Sequence, residues 1–153
     1  MGRIRKVPPR LTPDLWNDLV DDYVSQTEEG YKQTVPIEQC ASYIIFIKNG
    51  TVYARNGLTG KIDYQGPDAS VVIQSAVDAL TSGGTIFFKA GSYVILKTLT
   101  VQTDFIWLIG EGRDAVELKT PNDIHVISLD KPDHSALSKI KIANMRIYGK
   151  GAG

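Results

Sequence analysis

The chain has 153 residues, 42% of them hydrophobic, which is enough for one domain with a buried core and too apolar for a disordered chain. Its 17 basic side chains balance 17 acidic ones, so the formal charge is zero and no net field would hold a nucleic-acid backbone or an anionic bilayer. Cys40 is the only cysteine, which excludes an intrachain disulfide, and no apolar run reaches the length of a membrane span.

Met1 to Leu11 carries Arg3, Arg5, Lys6 and Arg10 around Pro8-Pro9. It reads as an extended basic arm, because proline enters neither helix interiors nor central strands. Thr12 is placed as an N-cap, with Pro13 at the first helical position and Asp14 in the first turn of a helix expected to run to Gln26. Leu15, Trp16, Leu19, Val20, Tyr23 and Val24 make one apolar stripe opposite Asn17, Asp18, Asp21 and Asp22. Either the stripe packs on its own chain, or it docks onto another subunit or a larger particle. In the second case Leu15, Trp16, Leu19, Val20 and Tyr23 are the partner-docking residues. No sustained heptad follows Val24, which argues against a long coiled coil. TEEGYKQTVPIEQ is polar, broken by Gly30 and Pro36, and reads as a linker.

SYIIFIK, Asn49-Gly50 and TVYAR spell a β-hairpin with a type I′ turn, and KIDYQG a further short strand. The hairpin is expected to cover the open edge of the first coil that follows, since an uncovered edge pairs with other chains. Asp68 then caps a helix over Ala69 to Leu80 whose Val72, Ile73, Ala76, Val77 and Leu80 share a face. That face should lie over the end of the next unit as a lid, and Ser82-Gly83-Gly84 ends the helix. The expected organisation is arm, docking helix and linker over 1–40, hairpin and turns over 41–66, and capping helix with coils over 67–153.

From Gly83 onward short β-rich runs alternate with Gly and Asp turns. Phe87, Trp107, Ile127 and Ile147 recur at an even spacing, a period of about 20 residues, each inside an apolar run. Leu99, Leu118 and Ile140 follow in a weaker register. Two strands per repeat with a turn after each is the pattern of a β-solenoid, in which stacking buries what no single coil can. A meander or sandwich spaces strands similarly, but its hairpins favour a turn such as Asn-Gly, and none occurs after Gly83.

DASVVIQSAVDALTSGGTIFFKAGSYVILKTLTVQTDFIWLIGEG resembles the opening of the pectate-lyase-like right-handed parallel β-helix superfamily, and the resemblance covers roughly Gly60 to Gly153. Its elements are the capping helix, the Gly-Gly-Thr strand, the Ala-Gly-x-Tyr turn and the Gly-x-Gly strand end. Lys89 replaces the proline common before Ala-Gly, and DYQGPDAS replaces the usual acidic Gly-Asp-Gly lead-in. The resemblance implies a mainly β fold: the start of a right-handed parallel β-helix with a capping helix, preceded by a β-hairpin and an N-terminal amphipathic helix. It leaves activity open, because the superfamily holds lyases, glycoside hydrolases, epimerases, viral tailspikes and non-catalytic surface proteins.

Polysaccharide cleavage needs paired carboxylates, or a calcium site with a basic group. The candidates are Glu111, Arg113 and Asp114 in the GEGRD turn, with Asp104, Asp123, Asp130 and Asp133. Turns favour Asp and Gly for backbone reasons, and no lyase motif maps onto these positions, so no residue is assigned to catalysis. Gly110-Glu111-Gly112 lacks the third glycine and the helix of a dinucleotide site. His125, His134 and Cys40 lack metal-ligand spacing, and no nucleophile elbow is present. No metal or cofactor is therefore expected. Tyr93 and Tyr148 are candidate sugar-stacking aromatics, although Tyr93 fills a coil corner in the resembled family.

MGRIRKVPPRLTPDLW lacks the apolar run of a secretory signal, while the superfamily works outside cells; a virion protein made in the host cytoplasm reconciles the two. The leading expectation is the anchoring part of a β-helical viral tail fibre or spike. It would be trimeric, attached to a larger particle, with a distal part recognising a cell-surface glycan and neither nucleic acid nor membrane span involved. The alternative is a polysaccharide lyase or glycoside hydrolase whose site lies in coils beyond Gly153. GKGAG follows a strand with no cap, so either a longer chain or another chain is expected to cover the last coil.

Overall fold

A computed structural model describes residues 40–151. The arm, the stripe of Leu15, Trp16, Leu19, Val20 and Tyr23, and residues 27–39 lie outside the described residues.

Strands β1 (Tyr43–Lys48) and β2 (Thr51–Asn56) form the expected hairpin, with positive φ at both Asn49 (52°) and Gly50 (77°) as a type I′ turn requires. β3 (Ile62–Gly66) pairs antiparallel with β2. Helix α1 (Ala69–Ala79) begins where the Asp68 carboxylate accepts the Ser70 N–H at 2.9 Å. Val72, Ile73, Ala76 and Val77 are all buried in the main core.

Eight short strands follow: β4 (Gly84–Phe88), β5 (Gly91–Val94), β6 (Leu99–Val101), β7 (Ile106–Gly110), β8 (Val116–Lys119), β9 (Ile127–Leu129), β10 (Lys141–Ala143) and β11 (Arg146–Tyr148). Every strand from β4 to β8 pairs in parallel with the strand three places later. β4, β7 and β10 stack in one sheet, β5, β8 and β11 in a second, and β6 with β9 in a third. β1 adds in parallel to the free edge of β4, so the hairpin covers that edge and the first sheet has the order β10-β7-β4-β1-β2-β3. Among the described residues no helix is long and apolar enough to cross a membrane.

The pairing replaces the even two-strand repeat by passes of three strands and unequal length. Thr85, Trp107 and Lys141 are register partners, and the second of these two steps along the chain is much longer than the first. Leu99 meets Ile127, while Tyr93, Leu118 and Ile147 align in another sheet with steps of their own. Phe87 therefore lies opposite Ile109 rather than Trp107, and the evenly spaced residues Ile127 and Ile147 belong to two other sheets. Sheet pairing aligns the strands alone, and the loops between them absorb the difference in length.

Each pass enters the first sheet through the same corner. Gly83, Phe105 and Lys139 precede the three stacked strands and have φ of 89°, 63° and 61°. The Gly84 N–H donates to the Phe105 carbonyl, while the Phe105 N–H donates to that of Ser138. Inward residues align across passes into buried columns. Tyr43, Ile86 and Leu108 form one, Ile45 and Phe88 a second, and Tyr93 and Leu118 a third. Tyr93 is fully buried, with its hydroxyl donating to the Lys89 carbonyl at 2.7 Å and lying 3.1 Å from that of Ile45. Burial pushes its ionisation upward, and it fills the core instead of offering a surface for sugars.

Candidate interaction surface on the six-stranded sheet

Side chains alternate across a strand, so the residues between the buried columns face away from the core. On the six-stranded sheet these are Lys141 and Ala143, Trp107 and Ile109, Thr85 and Phe87, Ile44 and Phe46, and Tyr53 and Arg55, strand by strand from β10 to β2. Ala41, Ile44, Phe87 and Ile109 form a second, smaller buried cluster here, with Phe46 and Ala143 packed against it.

Aromatic rings and cations meet along this face. Lys141, the register partner of Trp107, places its Nζ 5.1 Å from the indole centroid, and Lys139 stands 5.9 Å from the ring of Phe105 in the preceding corner. Trp107 is 45% and Phe105 55% exposed, large values for aromatic residues. Towards β2, Phe46 stacks on Tyr53 at 5.2 Å, and the Arg55 guanidinium lies 5.6 Å from the Phe46 centroid. A groove of about 190 Å³ is lined by Cys40, Thr85, Trp107, Ile109, Lys141, Ala143 and Asn144. A wider one of about 540 Å³ is lined by Phe46, Ile47, Lys48, Arg55, Lys89, Ala90 and Glu111.

The carboxylates considered for catalysis serve the loops. Glu111 accepts the Ala90 N–H at 2.8 Å, tying two passes together. Asp104 accepts the Ser138 N–H at 3.0 Å and pairs with Lys131 at 3.3 Å. That backbone hydrogen bond first, and then Lys131, holds its carboxyl below the usual range. Asp133 is lowered likewise by the Ser135 N–H, Asp130 contacts His134 at 3.3 Å, and Asp114 lies 3.6 Å from Arg146. Arg113, Asp123 and His125 are exposed. Among the described residues no group of three or more His, Cys, Asp or Glu side chains is placed to hold a metal. Tyr148 is half-buried beneath Arg146, whose guanidinium is 5.7 Å from the ring.

Sequence pattern does not single out Phe105, Trp107, Lys139 and Lys141 as a surface group. In FIWLI the tryptophan sits inside an unbroken apolar run that conceals its outward direction, whereas the alternation in KIKI does carry the signal.

No family model matches the chain, and no curated protein does. Among solved structures it is similar to ORF18 of Geobacillus virus E2, at 20% identity and a TM-score of 0.48; the likeness covers 64% of this chain and 27% of that one.

Proposed function

We propose that this chain is a structural or attachment component built on the opening of a right-handed parallel β-helix of the pectate-lyase-like superfamily. The observation that carries this reading is the pairing of every strand from β4 to β8 with the strand three places later, which stacks inward residues into continuous columns. Such a stack is rigid along its axis because every pass is bonded to its neighbour, as an anchoring stalk requires. The use of Glu111, Asp104 and Asp133 to hold loops together agrees with a structural role for these residues.

Of the settings the resemblance allows, this reading takes the stalk as the anchoring part of a viral tail fibre or spike, assembled as a trimer, with glycan recognition carried distally. The test joins light scattering of the purified chain to an assay for new reducing ends and unsaturated uronates on a polysaccharide panel. A trimer without turnover supports the attachment role. Turnover would move the chain to the lyase or hydrolase alternative, and a monomer without turnover would remove the trimeric stalk.

A further inference from the structure

Asn-Gly pairs stand at both ends of β2, Asn49-Gly50 before it and Asn56-Gly57 after it, and the fold treats them in opposite ways. In such a pair the glycine nitrogen can attack the asparagine side-chain carbonyl carbon, because no Cβ on the second residue obstructs the approach. The new C–N bond closes a succinimide ring and the side-chain nitrogen leaves as ammonia. Water then opens the ring at one carbonyl or the other and leaves aspartate or isoaspartate. Amide and water thus become acid and ammonia without any oxidation, and this is one source of the thermal lability of asparagine. Whether the side chain and the nitrogen are free to meet sets the rate.

At Asn56-Gly57 they are held apart. The Asn56 Oδ1 accepts the N–H groups of Leu58 and Thr59 at 2.8 and 3.1 Å, and its Nδ2 donates to the Asp63 carboxylate at 2.9 Å. The Gly57 N–H, which would have to attack, donates to the Ser42 carbonyl at 2.9 Å. Gly57 is packed so closely that a Cβ there would collide with the Ala41 carbonyl oxygen.

Asn49-Gly50 has none of these restraints. Both residues are exposed, and a Cβ at Gly50 would meet nothing within 4 Å. Among the described residues neither the Asn49 side chain nor the Gly50 N–H has a hydrogen-bond partner. The ladder of the hairpin ends at the pair Lys48 and Thr51, which leaves the two turn residues outside it.

We propose that Asn49 is a deamidation site built into the hairpin, converted by water mainly to isoaspartate, and that the conversion loosens β2 from β1. Isoaspartate inserts a methylene into the main chain and sets a carboxylate on the turn. The type I′ loop, with φ of 52° and 77° at its two residues, then loses its geometry, and with it the register that runs back to Tyr43 and Asn56. β2 and β3 join the other strands of the six-stranded sheet through β1, so they are the strands released, and β1 is left with an open edge.

The test incubates the purified chain, folded and in urea, at mildly alkaline pH and body temperature. Peptide mapping by mass spectrometry follows each pair, and methyl transfer by an isoaspartyl methyltransferase measures isoaspartate. In the folded chain Asn49 should convert at least about tenfold faster than Asn56, and in urea the two rates should converge. Asn49→Gly, which keeps a loop able to take positive φ, should remove the isoaspartate at this turn. Hydrogen exchange in β1 and β2 should quicken in aged wild-type protein and not in equally aged Asn49→Gly. Equal rates at the two pairs in the folded chain would overturn the site, as would an unconverted Asn49 over a period in which the unfolded chain converts. Unchanged exchange across the hairpin after conversion would overturn the loosening.

Discussion

The side-chain amide of Gln74 makes both hydrogen bonds that a neighbouring strand would offer Thr100: its Oε1 accepts the Thr100 N–H at 2.8 Å and its Nε2 donates to the Thr100 carbonyl at 3.0 Å. One turn earlier on α1, the buried Ser70 hydroxyl accepts the N–H groups of Leu96 and Lys97 at 2.6 and 3.1 Å. The helix therefore closes the edge of β6 with polar side chains as well as the core with its apolar face, which limits pairing by other chains. Gln74→Ala should cost about 1–2 kcal/mol in urea unfolding and speed hydrogen exchange at Thr100. The same Nε2 donates to the Asp78 carboxylate at 2.8 Å, so Gln74→Glu, which sets a second carboxylate against Asp78 and the Thr100 carbonyl, should destabilise at least as much as Gln74→Ala.

Gly83 and Gly60 separate backbone strain from crowding. Both have positive φ, 89° and 75°, but a Cβ at Gly83 would stand 2.7 Å from Phe105 Cβ and 2.9 Å from two carbonyl oxygens, while at Gly60 it would meet nothing. Gly60→Ala should cost about 1 kcal/mol from conformation alone, and Gly83→Ala roughly 1–3 kcal/mol more because the stacked corner must shift. Thermal unfolding of the two variants measures the difference.

Leu108 and Trp107 are adjacent and face opposite ways. Leu108 is fully buried in the column with Ile86, and Leu108→Ala should cost about 2–5 kcal/mol. Trp107→Ala, on the exposed face, should cost about 1 kcal/mol or less. Equal losses in chemical denaturation would contradict the assignment of faces.

Burial, with the Asp63 carboxylate accepting the Tyr43 hydroxyl at 2.9 Å, pushes the Tyr43 phenol from its ordinary 10.0 up to about 12. A raised value means the folded state favours the protonated form. The stabilisation is fully present below pH 10 and is lost as pH rises towards about 12. Tyr43→Phe should remove that part of the alkaline slope of stability, and tyrosinate absorbance should show one late-titrating group fewer.

Several elements are local and were legible in the residues. Asn49-Gly50 specifies its own hairpin because both positions take positive φ, and Asp68 specifies the start of α1 through one short hydrogen bond. The apolar face of α1 followed from its helical period, and the β-rich character of Gly83 onward from its short apolar runs between turns.

What the residues could not reveal was partnership across distance. Spacing in the chain cannot show that Thr85, Trp107 and Lys141 share a column, because the connections between them are of unequal length and strand pairing ignores loop length. Nor can it show that Tyr93 points inward to two carbonyls, or that Lys141 rests on Trp107, since each depends on which strand lies next. Hairpin, helix cap and strand content follow from contacts between near neighbours in the chain, so the order of residues is enough to specify them. Register and facing arise only when separate passes of chain pack on one core, and they belong to the folded molecule.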